Sequence, residues 1–498
     1  MTAKDVTEKD SSLTEAPDHE TIPEASSVTL ALVSHTNVGK TTLARTLLRR
    51  DVGEVLDRAH VTEESERFDL LEAAGERLML WDTPGFGDSA RLLRRLRTEE
   101  KPVLWFLQQT WDRLTDRPLY SSQRAAITVR EDADVVLYLV NATELPEEAG
   151  YVDPELELLG WLGRPVVVVL NQTGEASLPP SVVAARREAW RRHTVERHEV
   201  VKDVVLLDAF SRSWVQETLL LDRLAPWLDA SKQAVLERLE VVWRSRNLEV
   251  FDRALDAMAH YLATVARDRE ALPSKNPNRD EKKQAMTVLA DRLEQHTRTL
   301  MTALLEIHGL SGTAAAEVER QVDAYAVEGL EAIDPERGAL FGGVISGALG
   351  GLTADLLSGG LTFGGGMVAG AILGALGGAG LARGYQMVTA HKRPLVGWTA
   401  PFLDRLTAQT LLRYLAVAHF GRGRGSFELR ADEPERWRDA VSTTLAIEPE
   451  RWAERWQVVT RREEERAEAT ALLRRGLDDA TRRVLTTAYP DAKELLDS

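Results

Sequence analysis

Ser34-His35-Thr36-Asn37-Val38-Gly39-Lys40-Thr41 follows directly on the apolar run Val28-Thr29-Leu30-Ala31-Leu32-Val33. The run predicts a buried strand, and the stretch Leu43 to Arg50 predicts a helix, so the Gly-Lys-Thr lies in the turn between them. In that context successive backbone N–H groups wrap phosphate oxygens. Asn37, Val38 and Gly39 would supply loop backbone. Lys40 would place a point charge on the β- and γ-phosphates, and the Thr41 hydroxyl would sit on Mg²⁺, with Thr42 beside it among the nucleotide contacts. Ser34 stands where the pattern G-x-x-x-x-G-K-[ST] has its first Gly. The alternative is a chance Gly-Lys-Thr in an ordinary turn, and the strand before it and the helix after it argue against that.

Working outward, apolar runs bounded by turns alternate with helical stretches up to about residue 230. Candidate strands are Val28–Val33, Arg67–Leu71, Arg77–Trp81, Val135–Val140, Pro165–Leu170 and Val204–Leu207. Such alternation predicts a doubly wound α/β domain whose parallel sheet is covered on both faces, with nucleotide at the carboxyl ends of its strands. At the end of the third candidate strand stands Leu80-Trp81-Asp82-Thr83-Pro84-Gly85. Asp82 there would hold the water shell of magnesium, and the Gly85 N–H would reach the γ-phosphate. The alternative is a strand followed by a plain Asp-Pro-Gly turn.

With Val52 to Thr62 lying between these motifs, the chain resembles bacterial Era-like P-loop GTPases of the TRAFAC class joined to a helical C-terminal domain of uncharacterised function. The resemblance covers about 28–210. It implies a G domain that takes GTP/GDP and Mg²⁺, with Thr62 as the switch residue that binds metal and γ-phosphate. A solvated loop Thr is the other reading of Thr62. Phe86 stands where Ras-like enzymes carry the Gln that orients water, so slow hydrolysis is expected, completed by an activating partner, a homodimer contact or another side chain. His35, Glu63 and Glu64 are candidates for that last role, although each also reads as a structural or solvated residue.

The resemblance is looser at the base site. The strand Val166-Val167-Val168-Val169-Leu170 ends in Asn171-Gln172-Thr173-Gly174, where the family pattern is Asn-Lys-x-Asp. Gly174 has no side chain to take the guanine N–H donors, and Gln172 replaces a Lys whose stem packs over the base. Asn171 retains reach to the base and to the phosphate loop, and the Ala209 N–H, in Asp208-Ala209-Phe210-Ser211, is the family's counterpart facing guanine O6. Guanine preference is therefore implied by the resemblance, with ATP, relaxed specificity or no productive binding as the open alternatives.

Between Asp88 and Asp132 a long charged stretch with Trp105, Phe106 and Trp111 exceeds a minimal G domain. It reads either as an inserted helical element beside the second switch or as surface elaboration. From residue 231 the pattern becomes helical and charged, over Ser231–Arg267, Glu281–Ile307 and Thr313–Ala332, which hold no convincing strands, and 394–498 is again mostly helical. The expected organisation is a polar tail over 1–27, a G domain over 28–230 and a mostly α-helical domain over 231–498.

Within the last lies a glycine-rich apolar hairpin, 338–382, whose one charge is Asp355. Gly343, Gly347 and Gly351 recur at spacing four, as do Gly366, Gly370, Gly374 and Gly378. Each Gly costs about 1 kcal/mol in a solvated helix, so the stripe implies close packing, either in a bilayer as a membrane contact or inside the helical domain.

Composition narrows the classes. The 498 residues carry a formal net charge of −16, which disfavours broad nucleic-acid binding. There is no Cys, which excludes disulfides, thiolate catalysis and Cys-ligated zinc. No apolar signal segment opens the chain, so a cytoplasmic protein, some of it at the inner face of the cell membrane, is expected.

Overall fold

The computed structural model describes residues 26–49, 65–87, 89–98, 105, 117–172, 180–209, 213–310, 385–390, 393–420, 433–461 and 466–497. Thr62, Glu63, Glu64, Gly174, Phe106, Trp111, the 313–332 stretch and the 338–382 block lie outside these residues.

Six strands form one sheet: β1 (Ser27–Ser34), β2 (Glu66–Ala73), β3 (Glu76–Asp82), β4 (Val135–Asn141), β5 (Val166–Asn171) and β6 (Val201–Leu206). Their order is β2-β3-β1-β4-β5-β6. All neighbouring pairs are parallel except β2 with β3, which are antiparallel. The cause is local. Only Ala74 and Gly75 separate these two strands, and both have positive φ (51° and 80°), the requirement of a tight hairpin turn whose twist matches the strands. A parallel crossover needs a dozen residues or more.

Side chains alternate along the central strands as a two-residue period demands. Val28, Leu30, Leu32, Val135, Leu137 and Leu139 enter the core on one face, with Leu43 of α1 (Lys40–Leu48) and Leu220 of α6 (Trp214–Leu224). Ala31, Val33, Val136, Tyr138 and Val140 enter the other. There they meet α2 (Ser89–Leu96), α3 (Arg117–Glu131) and α4 (Val152–Leu162) through Leu92, Val129 and Leu159. Helix α5 (Pro180–Thr194) covers the β6 side, with Trp190 fully buried. Chain order runs from β1 to β2 and β3 on one side, then to β4, β5 and β6 on the other. The carboxyl end of β1 therefore faces the crevice where strand order reverses, which is where doubly wound sheets bind ligands.

Helix α7 (Ala230–Arg267) joins the sheet to the helical part. Asp229 caps it, its carboxylate accepting from Ser231 N and Lys232 N at 3.0 Å each. Val235, Leu236, Leu239 and Trp243, in its first half, belong to the sheet's core. From Phe251 to Ala266 its apolar residues belong to a separate core. That second core is shared with α8 (Arg279–Ile307), α9 (Ala400–Ala418), α10 (Glu433–Ala446), α11 (Pro449–Arg461) and α12 (Arg466–Ala488). A short α13 (Lys493–Asp497) closes the described residues.

The described stretches 231–267 and 281–307 are helical throughout, as expected, and strands lie outside these two. A three-stranded antiparallel sheet, β7-β9-β8, is built from Arg269–Ala271, Arg393–Trp398 and Tyr385–Ala390. Its smallest strand has three residues, too few for a two-residue period to register in the sequence.

Candidate functional site

The loop between β1 and α1 takes its shape from two left-handed residues. Asn37 has φ 65° and Gly39 has φ 98°. A side chain at Gly39 would meet Asn171 Nδ2 at 2.7 Å, so both conformation and space require glycine there. Gly39 precedes the first helical residue, and its carbonyl takes the first helical bond from Leu43 N at 2.9 Å.

Lys40 is buried, and its Nζ donates to Ser34 Oγ at 2.9 Å. Ser34, at the first-glycine position, thus holds the amine in place while donating its own proton to the His35 carbonyl. Burial lowers the Lys40 pKa, opposed first by the nearby Asp82 carboxylate and then by Glu155.

Asp82 ends β3 beside Thr41, whose Oγ1 donates to Asp82 Oδ2 at 2.6 Å. Oδ1 of the same carboxylate is buried with no hydrogen-bond partner. Burial raises the Asp82 pKa to about 6, against the Thr41 hydrogen bond and the Lys40 charge. An orphaned carboxylate oxygen beside a threonine hydroxyl suits a hard divalent cation such as Mg²⁺, which takes few protein oxygens and completes its shell with water and phosphate. Among the described residues no group of three or more His, Asp or Glu could hold a metal alone.

Gly85 lies against the loop. An added Cβ would stand 3.0 Å from Thr36 Cγ2 and 3.2 Å from Lys40 Nζ. Phe86 is fully buried in the core shared with α2 and α3, and its N–H donates to Ser34 O at 2.9 Å.

Asn171 is fully buried and uses both ends of its amide. Nδ2 donates to Val38 O at 2.7 Å, and Oδ1 accepts from Ala209 N at 2.9 Å. It therefore ties the phosphate loop to the loop after β6. Thr46 adds a third tie, donating to Ala209 O at 2.9 Å. Gln172 follows with φ 55°. Val38, Gly39, Lys40, Thr41, Thr42, Asp82, Gly85, Asn171 and Ala209 thus gather at the carboxyl ends of β1, β3, β5 and β6; Thr62 lies outside the described residues.

One group escaped the sequence reading. Glu155, on α4, is fully buried, and its carboxylate accepts from Ser89, Tyr138 and His35. A signal existed: Val152, Glu155, Leu156 and Leu159 share one helical face, so an acid stands in the middle of an apolar stripe.

Residues 198–488 match the family described as "Domain of unknown function (DUF3482)", more than half of the chain. The chain belongs to the DUF3482 family. Residues 29–172 match the family described as "50S ribosome-binding GTPase", so the N-terminal unit of this DUF3482 chain is a P-loop GTPase domain.

GTPase Der of Salmonella newport and of Salmonella typhi are each 29% identical over 163 residues, 32% of this chain. The match spans 27% of the length of those relatives. Among solved structures, an Aquifex aeolicus Era variant bound to GDP and aluminium fluoride is 16% identical, covering 57% of this chain and 90% of that one, with a TM-score of 0.30. The FeoB N-terminal domain of S. thermophilus bound to mGMPPNP is 14% identical over 56% and 86%, with a TM-score of 0.23. Another Era structure contains MgGDPNP. Among the described residues no helix is long and apolar enough to cross a membrane.

Proposed function

We propose that this chain is a magnesium-dependent GTP-binding switch with slow hydrolysis, whose nucleotide state is passed to the helical C-terminal region. The observation that carries the reading is the Thr41–Asp82 pair, 2.6 Å apart with one buried carboxylate oxygen left over, next to a buried Lys40. Bound magnesium would supply Lewis-acid stabilisation of charge on the phosphates.

The chain's own residues do the rest. Thr41 and Asp82 would hold the metal side, Asp82 in its outer shell, with Thr62 the residue that would complete it. Lys40 and the loop N–H groups take phosphate charge. Gly85 N–H senses the γ-phosphate. Asn171, with Gln172 and the Ala209 loop, keeps the base side in register. In the reaction a water oxygen bonds to the γ-phosphorus, the bond to the β-γ bridging oxygen breaks, and GDP, phosphate and a proton are released.

Phe86 favours slow turnover, because a buried phenyl ring cannot orient that water. The route to the helical region is α7, which belongs to both cores. We place the protein in the cytoplasm, with guanine nucleotide as its ligand and an activating partner or a homodimer as the completing contact. Membrane contact through 338–382 rests on sequence alone, and flotation with liposomes, with and without that block, tests it.

Steady-state phosphate release by wild type and Lys40→Ala, with ATP as competitor, tests the whole reading. Release that depends on Lys40 and prefers GTP supports it. Equal background from both proteins leaves a nucleotide-binding scaffold, and preference for ATP removes the guanine assignment.

A further inference from the structure

Glu155 belongs to no motif of the nucleotide site, yet it sits beneath it. Its carboxylate is fully buried and is met from three elements. His35 Nδ1, in the phosphate loop, lies 2.7 Å from Oε1. Ser89 Oγ, at the first residue of α2, donates to the same oxygen at 2.6 Å. Tyr138 OH, on β4, donates to Oε2 at 2.7 Å. The His35 ring is held in turn, stacked on Tyr151 with centroids 4.5 Å apart, while the Tyr151 hydroxyl donates to Glu144 Oε2 at 3.1 Å. A buried carboxylate is costly unless its lone pairs are filled. Here Tyr138 fills one oxygen from β4, while His35 and Ser89 meet the other from the phosphate loop and from the start of the helix that follows Gly85–Gly87.

The segment between those loops is fixed at three points. Phe86 N donates to Ser34 O at 2.9 Å, and Gly87 N donates to Ser122 Oγ at 3.0 Å. The third point is Ser89 on Glu155. Gly85 stands just ahead of them, close enough to Lys40 that an added Cβ would lie 3.2 Å from Nζ. The first tie joins this segment to the backbone of the phosphate loop. The Glu155 tie joins it to the same loop through the His35 side chain.

We propose that Glu155 is a positioning residue for hydrolysis: it clamps Ser89 and His35 together, and so sets where the Gly85–Gly87 backbone stands relative to Lys40 and the γ-phosphate. This rests on the GTPase reading above. Glu155 touches no phosphate in this role. Its effect therefore falls on the transition state, where geometry is most demanding, and leaves ground-state nucleotide binding to the loop and Asn171.

Three variants test it: Glu155→Gln, Ser89→Ala and Ser89→Thr. Ser89→Ala deletes one hydroxyl and guards against Glu155→Gln failing to fold. Measured together are affinity for a nonhydrolysable GTP analogue by calorimetry, kcat and KM for GTP, and hydrogen exchange of amides 85–96 without nucleotide. Misplacement by an ångström costs up to about a hundredfold in rate, so Glu155→Gln and Ser89→Ala are expected to lower kcat about tenfold to a hundredfold. Analogue affinity and KM should stay within about threefold, a split that marks an interaction expressed in the transition state.

Exchange over 85–96 should rise in both variants, and Ser89→Thr, which keeps the hydroxyl, should restore protection and kcat. The double variant should be no slower than the worse single one, because the two residues act as one unit. An unchanged kcat, a raised KM with kcat intact, or unchanged exchange over 85–96 overturns the proposal. A wild type that neither binds nor hydrolyses nucleotide sinks the GTPase reading and this one together. An active wild type with indifferent variants sinks this one alone.

Discussion

Replacing Asn171 should loosen the sheet by an amount the structure sets. Its amide satisfies two buried backbone groups, the Val38 carbonyl and the Ala209 N–H. Asn171→Ala strands both. Each unsatisfied buried group costs about 1–3 kcal/mol, so the loss should be about 2–6 kcal/mol. Asn171→Asp sharpens the test. A neutral carboxyl can donate to Val38 O and accept from Ala209 N–H, restoring both bonds. An ionised one sets oxygen against oxygen at Val38 in a site with no exposure.

The introduced acid should therefore have a folded pKa raised above its unfolded value of about 4. Across the window between those two pKa values the unfolded chain binds fewer protons, so stability falls as pH rises. The slope is about 1.4 kcal/mol per unit, or about 2.7 kcal/mol from pH 5 to pH 7 if the folded pKa exceeds 7. Hydrogen exchange of β1 and β5 amides in urea reports this for the sheet alone. A loss below about 1 kcal/mol for Asn171→Ala, or an Asn171→Asp deficit equal at both pH values, refutes the brace.

Other consequences follow from the same geometry. Asp82, with its pKa raised to about 6 by burial, favours the protonated folded chain. Its contribution is full below the unfolded pKa near 4 and lost as pH rises through about 6. Without magnesium the sheet should be up to about 3 kcal/mol more stable at pH 4 than at pH 7 from this group, and Asp82→Asn should abolish that difference. Magnesium affinity should weaken about tenfold per unit below pH 6, read by calorimetry at several pH values. Phe86→Gln should not accelerate hydrolysis, because that position points into the core; burying an amide there should cost about 2–5 kcal/mol, and a faster enzyme with unchanged stability would show that position 86 faces the phosphates.

The centre of the sheet was legible in the sequence because β4 and β5 are continuous apolar runs ending in Asn141 and Asn171, and β3 carries Leu78 to Trp81 into Asp82. The direction of β2 was not read, although the two residues Ala74 and Gly75 leave no room for a crossover. The small sheet β7-β9-β8 pairs residues 269–271 with 395–397, a separation that no local pattern reports. The roles proposed for Lys40, Thr41 and Asp82 rest on residue type and spacing. Three other features arise only when the fold brings distant segments together: the Ser34 bond to Lys40, the double use of Asn171, and Glu155 meeting His35 across 120 positions.

The central claim is that Lys40, Thr41 and Asp82 grip a purine triphosphate and its metal. Calorimetric titration of a nonhydrolysable GTP analogue, with magnesium and with the metal chelated, tests it most directly. The account predicts saturable binding that weakens without magnesium and disappears in Lys40→Ala. Binding indifferent to both magnesium and Lys40, or no binding of any purine triphosphate, would contradict it.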